Sequence, residues 1–301
     1  MSFTSTVKNE ISKLDIIEVE KVSELSAIIK NIGTINSTIK IVSENASVSR
    51  RIFSLVKDLY HVPVKVTVRK GYNFSKSLIY MLEINEKTDF IVSDLSLDTN
   101  IPKEYLYDDE DLARSYLRGL FLSTGSINDP KTARYHLEFI VSNLDYAIFI
   151  SNLLNKFNLN SKYIKRDNKY MIYIKEAEKI SDFLIIMQAT NALFYYEDIR
   201  IYRDHKNMTN RLNNCEQANV DKMIETATKQ INEINKIIEI GGLDLLDEKT
   251  KEVATYRLKY PEVSLLELSE IISLETGKAI TKSGIYHRFK KIEELANRIK
   301  D

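Results

Sequence analysis

Near its C-terminal end the chain carries a segment whose charged residues are all basic. Five bases and no acid stand between residues 278 and 291: Lys278, Lys282, Arg288, Lys290 and Lys291. Three further side chains lie among them that can bond to bases or to sugar-phosphate groups: Ser283, Tyr286 and His287. Ammonium and guanidinium groups bind phosphate oxygens, and arginine can also bond guanine in a bidentate manner. The pattern predicts contact with double-stranded DNA.

The residues just before this segment have the opposite charge. From Tyr260 to Gly277 there are four acids and neither Lys nor Arg. A solvated helix face with local ion pairs is the alternative interpretation. DNA contact is favoured because the charge separation coincides with a helix-turn-helix pattern.

The sequence contains no pattern typical of a metal site or of a nucleotide-binding loop. The four histidines are scattered, and the single cysteine, Cys215, offers no zinc spacing. His136 is expected to be a hydrogen-bonded structural residue, and Cys215 a buried packing residue. No G-x-x-x-x-G-K-[ST] or G-x-G-x-x-G loop occurs. The sequence therefore predicts no metal, no cofactor and no catalytic residue.

Composition sets the class of protein. The chain has 301 residues, 44% hydrophobic and 29% charged, with 43 bases balancing 43 acids. This length predicts about two domains, and the neutral balance requires any DNA-binding surface to be local. One cysteine excludes an intramolecular disulfide and fits a reducing compartment. With neither a signal-peptide core nor a long apolar run, we expect a cytoplasmic protein with no membrane contact. Its predicted contact with DNA makes it nucleoid-associated.

Two parts of the chain resemble each other. Residues 24–36 (ELSAIIKNIGTIN) align without a gap to residues 116–128 (YLRGLFLSTGSIN). Each is followed by a strand, an amphipathic helix, two further strands and a closing helix, in which Asp89-Phe90 matches Asp182-Phe183. The repeat predicts two helix-strand-helix-strand-strand-helix halves, about 20–98 and 112–190, related by a pseudo-two-fold axis.

The first helices of the two halves should pack against each other at the centre. Ala27 and Gly119 align with each other, and small residues allow two helix backbones to approach closely. Gly33 and Gly125 are predicted to end these helices in the left-handed conformation.

The C-terminal segment reads as an all-helical domain. We expect a long helix over Val220–Ile240 and a second over Leu243–Tyr260. Ser264 and Glu267 form a capping-box pattern. A turn at Gly277 then leads to a last helix, capped by Thr281 or Ser283, whose Glu293 and Glu294 face away or pair with Lys290 and Arg298.

The repeat resembles the LAGLIDADG homing endonuclease fold. In that family the residue before each closing glycine is acidic and holds a divalent metal at the scissile phosphates. These positions are Ile32 and Thr124 here, and neither offers a carboxylate. The resemblance implies that the scaffold is kept and nuclease chemistry is lost. Asp129, just past the second helix and before Pro130, is expected to serve a turn. A residual metal-dependent endonuclease remains the alternative.

The run NRLNNCEQANVDK (residues 210–222) and the C-terminal segment resemble the WhiA family of bacterial transcription factors, over essentially the whole chain. That resemblance implies an α+β, pseudo-two-fold LAGLIDADG-like αβαββα domain (1–205), a linker (206–219) and a helix-turn-helix domain (220–301). It also implies a sequence-specific, non-catalytic regulator, acting in sporulation in actinomycetes or in cell division and chromosome segregation in Firmicutes. Other transcription or cell-division proteins are possible partners. A scaffold with secondary DNA binding is the further alternative.

A second basic stretch joins the two predicted domains. It contains four bases against the single acid Asp204: Arg200, Arg203, Lys206 and Arg211. It is interpreted either as a second phosphate-contacting element or as an exposed linker helix.

Overall fold

The computed structural model describes residues 2–70 and 78–298. The sequence predicts the last strand of the first half at residues 77–84 and the end of the last helix at Ile299; Ser77 and Ile299 lie outside the described residues. The chain divides into two compact units, Met1–Arg203 and Asp204–Asp301.

The first unit consists of an N-terminal helix followed by two repeats. The N-terminal helix is α1 (Phe3–Ile11). The first repeat comprises α2 (Glu18–Ile32), β1 (Gly33–Ile35), β2 (Ile39–Ser43), α3 (Ala46–Tyr60), β3 (Val64–Lys70), β4 (Leu78–Ile84) and α4 (Thr88–Asp94). The second comprises α5 (Glu110–Thr124), β5 (Gly125–Ile127), β6 (Leu137–Val141), α6 (Leu144–Lys156), β7 (Lys162–Arg166), β8 (Lys169–Ile174) and α7 (Ala177–Ile186).

Each repeat forms one antiparallel sheet, and the two sheets have the same topology. Their strand orders are β1-β2-β4-β3 and β5-β6-β8-β7. Equivalent pairs share a register, since Ile39 lies opposite Ile84 and Leu137 opposite Ile174. The predicted duplication and α+β class are confirmed. The short strands β1 and β5 were not predicted, because three residues are too few to show an alternating pattern.

Helices α2 and α5 pack side by side in the core of this unit, as their small residues predict. A Cβ built on Gly119 would lie 2.2 Å from the Glu24 carbonyl oxygen and 2.9 Å from the Ala27 Cβ. Any larger residue at position 119 would therefore force the two backbones apart.

The predicted left-handed conformation of Gly33 and Gly125 is wrong. Their φ values are −84° and −70°, and both residues are extended. Glycine is required at these two positions because there is no room for a side chain. A Cβ would lie 2.4 Å from the Ile29 carbonyl oxygen at Gly33, and 2.3 Å from a ring carbon of Phe121 at Gly125. Each chain passes directly from helix into strand, close to the preceding helical turn.

A buried charge cluster, which the sequence did not predict, joins α2, α3 and α5. Glu24 is fully buried and accepts hydrogen bonds from Arg51 Nε and from Arg118 Nε, each at 2.7 Å. Arg118 also donates to Ser115 Oγ at 2.8 Å and to Glu20 at 3.4 Å. Because buried charges are costly unless paired, loss of one member would leave an uncompensated charge in the core.

A single 52-residue helix, α8 (Thr190–Gly241), runs from the first unit into the second. The prediction that a helix begins at Val220 is wrong by thirty residues, and residues 206–219 are helical. No glycine or proline interrupts the chain between Thr190 and Ile240, so nothing local ends the helix. Cys215, predicted to be buried, is exposed on it.

The second unit also contains a short 3-10 turn (Leu243–Leu245), α9 (Glu248–Lys259), α10 (Leu265–Thr276) and α11 (Lys282–Arg298). The predicted helix over Leu243–Tyr260 is thus divided, and α9 begins where Asp247 accepts from the Thr250 backbone N–H at 3.0 Å. A second hydrophobic core includes Ile234 and Ile237 of α8. Across residues 2–70 and 78–298, no helix combines the length and the apolar character needed to cross a membrane.

Candidate nucleic-acid interface

The two helices of the predicted motif begin at side-chain caps. Ser264 Oγ accepts from the Glu267 backbone N–H at 3.2 Å, and the Glu267 carboxylate accepts from the Ser264 N–H at 2.7 Å. This is the predicted capping box, and it fixes the start of α10. At the start of α11, Thr281 Oγ1 accepts from the Gly284 N–H at 3.2 Å. Of the two candidate caps, Thr281 therefore serves this helix.

The turn between α10 and α11 is fixed by one glycine and one serine. Gly277 has φ +67°, a left-handed conformation that glycine adopts without steric cost. Ser273 Oγ donates to the Ser269 carbonyl at 2.7 Å and accepts from the Ile280 N–H at 3.0 Å. The residues that lead into α11 are thereby tied back to α10.

Helix α11 is held against the rest of the unit by one apolar face. Its buried residues are Ile285, Phe289, Ile292 and Ala296. The fully buried Arg257 of α9 lies with its guanidinium 5.5 Å from the centroid of the Phe289 ring. Its Nε donates to Gln230 Oε1 at 3.1 Å, and its Nη1 donates to the Val263 carbonyl at 2.7 Å. Arg257 therefore links α8, α9, α11 and the segment before α10.

An exposed face of α11, next to the packed one, carries most of the predicted DNA contacts. At about 100° per residue, five of them fall within one arc of about 140°: Lys282, Ser283, Tyr286, His287 and Lys290. All five are exposed, and Tyr286 shows 57% of its surface. We call these five residues the recognition face.

The other three predicted contacts lie elsewhere. Arg288 is half-buried beside the packed face, on the flank away from the recognition face. Lys291 borders the recognition face, but its ammonium lies 3.5 Å from the Asp247 carboxylate. Lys278 is exposed in the turn before the helix. The structure thus brings together five of the eight predicted residues.

The expected pairing of Glu293 with neighbours on its own helix is wrong. Glu293 pairs with Lys229 of α8 at 2.5 Å. The hydrogen bond from Lys229 to Glu293 raises the pKa of this lysine. Lys290 and Arg298 therefore do not share this carboxylate, and the positive charge of Lys290 remains on the recognition face.

One acid of α10, Glu275, also has hydrogen-bond partners within the second unit. Glu275 accepts from Tyr260 Oη at 2.8 Å and from Lys259 Nζ at 3.0 Å. These bonds, that from Tyr260 first, hold the pKa of Glu275 below its usual value. Glu275, at the end of α10 and next to the turn, is therefore negatively charged at neutral pH.

Two of the four bases in the second basic stretch have partners inside the first unit. Arg200 bonds to Glu197 at 2.8 Å and to Glu178 at 3.4 Å. Arg203 Nη1 donates to the carbonyls of Pro130 and Thr132, at 2.7 Å and 2.6 Å. The guanidinium groups of these two residues hold α8 against α7 and against the 129–134 loop, and their interpretation as phosphate contacts stays a prediction. Lys206 and Arg211 are exposed on α8.

The C-terminal ends of α2 and α5 carry no acid. Ile32 precedes Gly33, and Thr124 Oγ1 bonds back to the Leu120 carbonyl at 3.4 Å. Asp129 caps a turn, as predicted, with its carboxylate accepting from the Lys131 N–H at 2.9 Å. His136 is a hydrogen-bonded residue, 3.1 Å from Glu138. Within the described part of the chain, no three His, Cys, Asp or Glu residues cluster as metal ligands.

The fold and this interface define a class of protein: a duplicated LAGLIDADG-like α+β domain without acidic helix ends, joined to a helix-turn-helix domain. Family comparison matches all three parts of the chain. Residues 18–98 match the WhiA N-terminal LAGLIDADG-like domain, residues 113–206 the WhiA LAGLIDADG-like domain, and residues 209–296 the WhiA C-terminal HTH domain. The chain belongs to the WhiA family.

Individual relatives align with the whole chain. This chain is 40% identical to a "Probable cell division protein WhiA" of Enterococcus faecalis, over 100% of this chain and 99% of that protein. The same protein of Bacillus cytotoxicus is 43% identical, over 100% and 98%. The crystal structure of full-length DUF199/WhiA from Thermatoga maritima is similar with a TM-score of 0.60 and 29% identity, covering 100% of both chains.

Proposed function

We propose that this protein is a non-catalytic, sequence-specific DNA-binding transcription regulator whose recognition helix is α11. The observation that carries the proposal is the recognition face, in which two lysines flank polar side chains on the exposed side of a firmly packed helix. A helix of this kind enters the major groove with its N-terminal part, where base edges and phosphates accept hydrogen bonds. Lys282, Ser283 and Tyr286 occupy that part of α11.

A role without catalysis is supported by the ends of α2 and α5. Two-metal or one-metal hydrolysis of a phosphodiester requires carboxylates to hold the cation. Ile32 has no oxygen, and the Thr124 hydroxyl is neutral and bonded to its own helix. We therefore expect no strand cleavage from these positions in the presence of magnesium.

The cellular role is proposed from the relatives. Both proteins compared above carry the name "Probable cell division protein WhiA". We extend to this chain a regulatory role in cell division, chromosome segregation or sporulation, exerted on the nucleoid in the cytoplasm. Lys206 and Arg211 on the exposed part of α8 would add phosphate contacts.

The decisive experiment first maps the bound sites in the genome, then measures the affinity of the full chain for one such duplex as a function of salt. Each phosphate contact contributes about 0.9 to the slope of log K against log salt. Lys282→Ala should weaken binding about tenfold and reduce the slope by about 1, because one ammonium no longer displaces counterions. Arg288→Ala should have the smaller effect, since this residue lies off the recognition face.

Lys249→Ala is the matched control, because it removes the same charge from an exposed position of α9 in the same unit. Its affinity and slope should equal those of the unsubstituted protein. Equal losses in Lys249→Ala and Lys282→Ala would show that only net charge matters, and the assignment of α11 would then be wrong.

A further inference from the structure

A cavity of about 480 Å³ opens in the first unit at the C-terminal ends of α2 and α5. Ile32 and Thr124, the two residues that replace the family's acids, both line it. The rest of its wall comes from the segment after α4, from the end of β6 and the start of α6, and from Lys169 of β8. Its volume lies within the range of about 300–1,000 Å³ that small-molecule sites occupy.

The pseudo-two-fold partner of this cavity is covered by α1. Asn45, the counterpart of Asn143, donates to Asn9 of α1 at 3.1 Å. The backbone N–H groups of Asn191 and Ala192, the counterparts of residues 98 and 99, donate to Glu10 of α1 at 2.7 Å and 3.0 Å. One member of a duplicated pair is thus occupied by the protein's own helix, whereas the other is open.

The open cavity has positive charge and no carboxylate among its described lining residues. Lys30 is half-buried, and its ammonium donates to the carbonyls of Ser96, at 3.4 Å, and of Thr99. Burial lowers the pKa of Lys30, and the nearby Asp98 carboxylate partly offsets this effect; a further anion beside the ammonium would also favour its charged form. Lys169 is exposed at the rim, and within residues 2–70 and 78–298 its ammonium forms no side-chain hydrogen bond or ion pair.

Two side-chain amides that can accept or donate further hydrogen bonds also line the cavity. Asn31 donates its amide hydrogens to the Ala27 carbonyl at 2.7 Å and to Tyr146 Oη at 3.0 Å, which leaves its oxygen as an acceptor. Asn143 accepts from the Tyr146 N–H at 3.1 Å, which leaves its amide hydrogens as donors. Apolar atoms of Ile32 and Ile140 complete the wall. Adjacent donors and acceptors beside an apolar wall suit a planar heterocycle.

We propose that this cavity binds a free mononucleotide, with its phosphate at Lys30 and Lys169 and its base against Ile140 between the amides of Asn31 and Asn143. The position once used for catalytic acids would then serve as a ligand site in a unit separate from the recognition face. The proposal does not depend on DNA binding by α11.

Calorimetric titration of the full chain with AMP tests this site. AMP should bind with one-to-one stoichiometry, whereas adenosine and inorganic phosphate should each bind at least tenfold more weakly, because each supplies half of the contacts. Lys169→Glu should weaken AMP binding at least tenfold. Lys57→Glu, at an exposed position of α3, is the matched control and should change the affinity less than twofold. Lys30→Met, with its folding verified by circular dichroism, should reproduce the loss.

Absence of AMP binding, or unchanged affinity in Lys169→Glu, would overturn the proposal. Displacement of AMP by a duplex of random sequence would also overturn it, because the phosphate bound there would then belong to the DNA backbone. Lys282→Ala separates this result from the proposed function, since it should weaken duplex binding and leave AMP binding unchanged.

Discussion

At the scale of single residues, Lys8 carries a charge into a largely apolar environment. Its ammonium lies 5.7 Å from the centroid of the Phe121 ring, and no described carboxylate forms an ion pair with it. Burial lowers the pKa of Lys8 to about 8. Glu24 shows the opposite solution, since its buried charge is matched by two arginines. Sequence spacing predicted neither the burial of Lys8 nor the ion pairs of Glu24, because both depend on contacts between distant segments.

We predict that Lys8→Met stabilises the protein at pH 7 by roughly 3 kcal/mol, the free energy that corresponds to a pKa lowered from its usual value to about 8. Between pH 8 and 10.5 the folded state releases this proton while the unfolded state keeps it, so the stability of the unsubstituted protein rises with pH. The difference from the variant should therefore be greatest below pH 8 and vanish above pH 10.5. Urea unfolding across this pH range measures it.

Lys13→Met provides the control, because Lys13 is exposed. It should leave the free energy of unfolding within about 0.5 kcal/mol at every pH. A Lys8→Met variant that is less stable at pH 7 would contradict the prediction.

At the scale of secondary-structure elements, the start of α10 and the turn after it were the most predictable features. The capping box at Ser264 and the turn at Gly277 depend on residues within four positions of each other, so the printed sequence is sufficient to find them. The start of α8 was not predictable in this way. Residues 206–219 were predicted to be a linker, yet the helix continues because nothing interrupts it and both of its ends pack in the cores of the two units.

We predict that Ser264→Ala and Thr281→Ala each lower the free energy of unfolding by about 1 kcal/mol, since each leaves a helix N–H without its side-chain acceptor. Ser283→Ala should change it by less than about 0.3 kcal/mol, because Ser283 caps no helix. Chemical denaturation of the three variants provides the comparison. Equal losses for Thr281→Ala and Ser283→Ala would refute the assignment of the cap.

At the scale of the whole molecule, residues 2–70 and 78–298 contain two separate hydrophobic cores. One includes Leu25 and the buried residues of α2, α5 and both sheets, and the other includes Ile237 and the buried faces of α9, α10 and α11. Each core is enclosed within one compact unit. Because the two cores share no buried apolar residue, each unit has its own stabilising interactions.

We predict two calorimetric unfolding transitions that respond to different substitutions. Leu25→Ala should lower the first unit's stability by about 2–5 kcal/mol and leave the other transition unchanged, and Ile237→Ala should do the reverse. Leu212→Ala, at a residue 55% exposed on α8, should shift neither transition by more than about 1 °C. A single transition shifted equally by both core substitutions would show that the units unfold as one.

The sequence by itself determined the duplication, the α2–α5 contact through Ala27 and Gly119, the helix-turn-helix and the missing acids at Ile32 and Thr124. The duplication, the small residues and the helix-turn-helix follow from residue type, spacing and internal repetition, whereas the missing acids follow from the resemblance to the LAGLIDADG family. Only the tertiary structure decided that Arg203 serves the first unit, that Cys215 is exposed, and that Arg288 lies away from the other predicted DNA contacts. It also revealed that α1 bonds to Asn45, Asn191 and Ala192, whose counterparts in the other half lie at the open cavity. Such features depend on which distant side chains meet, and local periodicity carries no record of those contacts.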